Sequence, residues 1–171
     1  SQNPYRNYIK GLYYTWLVKI YSKVCLGGTF DQIHLGHKSL LEMAFRLSNE
    51  VIIGLTTDKR ANKNRGKEHL RTYSDRYLSL ENYILKNFKG KHSIVELNDD
   101  WGPGAFDEKL EAIIVSEETK NVAIALNQNR KLRELEELEI VSIPLILAND
   151  GRKISSTRIR KNEIDSKGNK A

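Results

Sequence analysis

The sequence predicts an α/β fold, a Rossmann-like parallel five-stranded sheet with helices on both faces. Three observations carry that expectation. Apolar runs of strand length recur along the chain, beginning at Val24, Val51, Ser93, Ala112 and Ile140. Segments with apolar residues at spacings of three and four stand between several of them. The first run also ends in a glycine-rich turn, Gly27-Gly28-Thr29, that leads directly into such a helical segment. Alternating strands and helices imply parallel crossovers, which bury both faces of the sheet.

Each element has its own signal. Val24, Cys25 and Leu26 suit a buried first strand, and residues 38–47 carry a helical apolar face. Residues 51–56 read as a second strand, followed by a long polar loop over 59–72. Tyr77, Leu78, Glu81, Ile84, Leu85 and Phe88 then mark a helix that Thr72, three positions before Asp75, caps at its start. Residues 93–97, 112–116 and 140–143 supply three more strands, with a helix over 119–136 between the last two. Ahead of the sheet, Tyr5, Tyr8, Ile9, Leu12, Tyr13, Trp16, Leu17 and Ile20 fall on one helical face. Residues 1–22 therefore read as an aromatic amphipathic extension, packed on the domain or on a second subunit. The main domain spans 23–165, and the small polar tail 166–171 is expected to be disordered.

Length and charge narrow the class. A chain of 171 residues suits one domain with one substantial core. Its 28 basic residues against 22 acidic ones leave a net charge of +6, which suits phosphorylated partners or nucleic acid. Placement favours the former. Lys59, Arg60, Lys63, Arg65, Lys67 and Arg71 crowd one loop, and Arg152, Lys153, Arg158, Arg160 and Lys161 crowd another, each beside a glycine- or serine-rich turn. The single cysteine, Cys25, excludes an internal disulfide, suits a reducing compartment and reads as a buried structural thiol. No apolar run is long enough to span a bilayer, and no secretory apolar core opens the chain. The expectation is a cytoplasmic protein with no membrane or nucleic-acid partner, a monomer or small homo-oligomer.

The turn from Gly27 to His37 is the most informative stretch. A strand, a glycine-rich turn and a helix form a phosphate cradle: glycines let amides approach an anion, and the free amides of the following helix attract it. His34 and His37 add two donors. A histidine pair at this spacing also suits half of a metal site, yet no cysteine or third histidine stands beside it. Farther on, Ser155 and Ser156 precede a short helical segment as caps, with Arg158 and Arg160 following.

Gly28-Thr29-Phe30-Asp31 with His34-x-Gly36-His37, together with Ile154-Ser155-Ser156-Thr157-Arg158-Ile159-Arg160, resembles the HxGH nucleotidyltransferase superfamily. Within it the chain is most similar to the archaeal and eukaryotic type of phosphopantetheine adenylyltransferase, over about residues 23–165. The resemblance implies transfer of AMP from ATP to 4′-phosphopantetheine, giving dephospho-coenzyme A and pyrophosphate, with magnesium accompanying ATP. It implies that His37 donates to the α-phosphate and His34 to the triphosphate, with Gly28, Thr29 and Phe30 contacting nucleotide and acceptor. Ser155, Ser156, Thr157 and Arg158 would hold the β- and γ-phosphates. A lysine after the second strand, Lys63 or Lys59, would serve the acceptor phosphate, and Arg76 and Arg130 would either be further phosphate ligands or make only surface salt bridges. No protein ligand to the metal is assigned: Asp31 can equally fix the turn through backbone hydrogen bonds.

Two other readings compete. A transferase of the same fold could move CMP to a phospho-alcohol or AMP to FMN, although cytidylyltransferases tend to carry an Arg-Thr-x-Gly-Ile-Ser-Thr-Thr form of the second motif. A basic binding module without catalysis would predict a lost histidine or serine motif, and both are intact.

Overall fold

The computed structural model describes residues 19–63 and 69–171. The aromatic helix expected before the sheet lies outside these residues, as do Arg65 and Lys67. Five parallel strands form one sheet: β1 (Tyr21–Gly28), β2 (Ser48–Thr56), β3 (Lys91–Leu97), β4 (Ala112–Ser116) and β5 (Glu139–Ile143), in the order β3-β2-β1-β4-β5. β1 starts at Tyr21, inside the stretch read as the extension.

Period-two alternation sorts the strand residues onto two cores. Val24, Leu26, Val51, Ile53 and Leu55 face α1 (Leu35–Leu47) and α3 (Tyr73–Asn87), where they pack with Leu41, Phe45, Leu80 and Ile84. Cys25 and Ile52 point the other way, to Leu126 of α4 (Lys120–Leu132) and to Ala105, Leu110 and Leu138. Burial pushes the Cys25 thiol up to about 12, so it stays protonated at neutral pH.

Local chemistry sets the boundaries. Thr72 accepts the Asp75 N–H at 3.2 Å, the cap the spacing predicts for α3. The polar loop expected over 59–72 instead opens with a five-residue helix, α2 (Asp58–Asn62), capped by Thr57. The helix expected to run to 136 stops at Leu132: the Arg133 N–H turns to the Asn129 and Arg130 carbonyls, and Glu134 takes a left-handed φ of 61°. Asn127 then ties this helix to β5, exchanging hydrogen bonds of 2.8 and 2.7 Å with the Leu138 carbonyl and N–H.

The tail expected to be disordered is ordered. Ile164 and Lys170 form an antiparallel bridge, the Asn149 N–H donates to the Gly168 carbonyl at 2.9 Å, and Ile164 packs with Ala148 and Ile154. The sequence conceals this because the order comes from backbone bonds to distant residues.

Candidate active site

Strand order reverses at β1, which pairs with β2 on one side and β4 on the other. The crevice of an open α/β sheet lies beyond the carboxyl ends of the strands at that point. A cavity of about 480 Å³ is found there, lined by the Gly28 turn, the ends of β2 and β4, Pro144 and the second motif.

The turn is shaped around an aromatic stack. Phe30 is buried with φ of 50°, a left-handed conformation rare for a side chain of its size. Its ring lies on Gly28, where a Cβ would come within 2.9 Å of it, and tilts against His37 at 4.8 Å between centroids. His37 in turn stacks on His34 at 3.8 Å. Thr56 braces the turn from β2, donating to the Gly28 carbonyl at 2.9 Å and meeting the Thr29 hydroxyl at the same distance.

The amides at the start of α1 are largely committed, contrary to the expected cradle of open N–H groups. The Gly36 N–H donates to His34 Nδ1 at 3.0 Å, the His34 N–H to His37 Nδ1 at 3.3 Å, and the Leu35 N–H to the Ser166 carbonyl at 3.2 Å. Because His34 Nδ1 accepts, its neutral ring carries the proton on Nε2. Burial lowers His34 to about 4, helped by the Lys153 charge. It lowers His37 to about 3, helped by His34, while a hydrogen bond with the Gln32 carbonyl acts the other way. Both rings are thus neutral at physiological pH, His34 with its N–H on Nε2 and His37 with its ring N–H on the Gln32 carbonyl. Gly36 permits this, since a Cβ there would lie 2.8 Å from the His34 ring.

The second motif docks on the first. Ser155 caps α5 (Ser156–Arg160) by accepting the Arg158 N–H at 3.2 Å, and Ser156 both accepts from the Gln32 N–H at 3.3 Å and donates to its carbonyl at 3.2 Å. Asp31 is the joint between segments. Almost fully buried, it accepts the Arg71 N–H at 2.9 Å and pairs with the guanidinium of Arg160. This carboxylate is committed to cations of the chain, and among the described residues no cluster of three metal-binding side chains occurs.

The structure brings Gly28, Thr29, Phe30, His34, His37, Ser155, Ser156 and Thr157 around one cavity. It does not bring the other expected residues there. Arg76 is fully buried behind the turn, donating to the Thr29 carbonyl (2.9 Å), the Arg71 carbonyl (3.0 Å) and Asp58 (2.9 Å). Arg130 is buried on the far face, on the carbonyls of Gly104, Asp107 and Glu136. Arg158 is held by Asp150 and Glu163. Each meets carbonyls or carboxylates of the chain where a phosphate was expected. Lys59 and Lys63 are exposed and do not line the cavity. Two cations that do were not singled out: Arg60, paired with Asp100, and Lys153, whose Nζ is 2.6 Å from Glu118. Their membership of the basic clusters was the available signal.

What converges at this switch point is a set of neutral and charged donors, the equipment for transferring a nucleotidyl group. Residues 25–162 match the family described as cytidylyltransferase-like. The chain is 44% identical over 149 residues to a phosphopantetheine adenylyltransferase of Methanothermobacter thermautotrophicus, covering 86% of this chain and 88% of that one. It is 42% identical over 151 residues to a phosphopantetheine adenylyltransferase of Thermococcus gammatolerans, covering 88% and 95%. Among solved structures it resembles a protein of unknown function from Archaeoglobus fulgidus, with a TM-score of 0.65 at 30% identity over 71% of this chain and 88% of that one. The chain belongs to the cytidylyltransferase-like family and, within it, to the phosphopantetheine adenylyltransferases.

Proposed function

We infer that this chain transfers AMP from ATP to 4′-phosphopantetheine, yielding dephospho-coenzyme A and pyrophosphate, a step of coenzyme A biosynthesis. The observation that carries the reading is 44% identity, over most of both chains, to a protein named for that activity, in a chain whose histidine turn and serine motif meet at one cavity. The rival base and acceptor pairs have no such support.

The chemistry suits these residues. A phosphate monoester with a second pKa of about 6 is largely dianionic at neutral pH, so the acceptor needs no general base. The difficulty is to bring it in line against the α-phosphate, opposite the leaving pyrophosphate, which calls for positioning and fixed donors. In this reading the His37 ring N–H turns from the Gln32 carbonyl to the α-phosphate as charge builds on it, and His34 donates from Nε2 to the adjoining phosphate. Ser155, Ser156, Thr157 and Lys153 receive the departing pyrophosphate, and Thr29 and Phe30 lie between nucleotide and acceptor. Magnesium enters with ATP and is held by phosphate oxygens, since Asp31 is committed to Arg71 and Arg160.

Among the described residues no helix is long and apolar enough to cross a membrane; the proposed site of action is the cytoplasm, where the reading places this step. Run in reverse, with dephospho-coenzyme A, pyrophosphate and magnesium, the chain should generate ATP. A folded wild-type protein that makes none would overturn the assignment.

A further inference from the structure

We propose that Arg60 binds the phosphate of the acceptor, and that Asp100 holds its guanidinium at the mouth of the cleft until the acceptor displaces it. This inference rests on the reading above of the reaction as adenylyl transfer to a phosphorylated acceptor.

In-line displacement gives the cleft two ends, one for the departing pyrophosphate and one for the incoming phosphate. Lys153, Ser155 and Thr157 supply the first. The second then lies across the turn, where β2 ends at Thr56 and α2 begins. A dianion entering there, towards a triphosphate, calls for a cation. Among the described residues the lysine and arginine side chains lining the cavity are Arg60, which follows β2, and Lys153, which follows β5, on opposite sides of β1 in the sheet. Lys59 and Lys63, on either side of Arg60 in sequence, are exposed and line no part of it.

Arg60 is also poised to exchange partners. It pairs with Asp100 of the loop after β3, and the side chains of the two are 30% and 64% exposed. Ion pairs this open to water hold weakly, whereas a guanidinium meets a phosphate through two parallel charge-assisted hydrogen bonds. The backbone beneath is fixed: Thr57 caps α2 by accepting the Arg60 N–H, and its own N–H donates to the Leu97 carbonyl at 3.2 Å. Asp99 accepts the Trp101 and Gly102 N–H groups at 3.0 and 2.6 Å, anchoring the loop that carries Asp100. The exchange therefore needs side-chain movement alone.

The test compares wild type, Arg60→Gln, Arg60→Lys and Asp100→Asn in initial-rate kinetics, with unphosphorylated pantetheine as a competing ligand. Arg60→Gln should raise KM for 4′-phosphopantetheine about tenfold or more, the loss of one charge-assisted contact, with little change in KM for ATP. Its preference for 4′-phosphopantetheine over pantetheine should shrink by the same factor, and Arg60→Lys should recover part of it. Asp100→Asn, which removes the competing carboxylate, should lower KM for the acceptor. Equal weakening of phosphorylated and unphosphorylated ligands would make Arg60 structural and overturn the proposal, as would no effect or a raised acceptor KM in Asp100→Asn. A wild type that turns over ATP and 4′-phosphopantetheine while Arg60→Gln keeps full discrimination sinks this inference alone; a silent wild type sinks the functional reading with it.

Discussion

His34 and His37 set the turn through hydrogen bonds between its backbone and their rings. His34 Nδ1 accepts the Gly36 N–H, so its Nε2 carries the proton, His37 places its ring N–H on the Gln32 carbonyl, and burial keeps both rings neutral. His37→Ala should therefore lower kcat by roughly 10²–10³, about 3–4 kcal/mol of transition-state stabilisation, with the fold intact; steady-state rates beside a circular-dichroism melt check both halves. Gly36→Ala should act through geometry. Its Cβ would lie 2.8 Å from the His34 ring and force it off the Gly36 N–H. A cost of about 1–3 kcal/mol in stability is expected from such overpacking, with a larger drop in activity than in melting temperature. The histidines were legible in sequence because glycine spacing and ring chemistry are local. Arg60 was not, since its neighbours Lys59 and Lys63 share its charge and only the fold separates the one that lines the cavity.

At the scale of elements, the site is three segments held by one buried carboxylate. Asp31 joins the turn to Arg71, ahead of α3, and to Arg160 in α5, and Ser156 adds a second bond between the motifs. Asp31→Ala should cost about 3 kcal/mol, because removing one partner of a buried pair leaves the others uncompensated. It should also raise KM for ATP; a chemical melt and nucleotide titration would reveal both, and an ATP KM that stays put would separate the joint from nucleotide binding. Strands and the Thr72 cap could be read from period and local spacing. The arginines were harder. Arg76, Arg130 and Arg158 stand in sequence where phosphate ligands were expected, yet which acceptor a guanidinium finds is a tertiary property, and here each finds carbonyls or carboxylates of its own chain. The ordered tail escaped notice for the same reason, its partners being some twenty and more than a hundred residues away at Asn149 and Leu35.

For the whole molecule, the buried histidine pair makes stability depend on acidity. Both folded pKa values lie below the ordinary 6.5, at about 4 and about 3. The unfolded chain thus binds more protons between these limits, and stability must fall as pH falls through 6.5. From pH 7 to 5 the loss should be about 2 kcal/mol per ring, measurable by denaturant titration at several pH values; a His34→Gln, His37→Gln double variant should flatten the dependence in that window. The parallel sheet, its switch point and the pairing of the two motifs set where anions can be met, and the reaction follows from what stands there. The decisive measurement is pyrophosphate release with magnesium for ATP and CTP, each against 4′-phosphopantetheine, FMN and glycerol 3-phosphate. Turnover confined to ATP with 4′-phosphopantetheine is the expected result; activity confined to any other pair, or none at all, would contradict it.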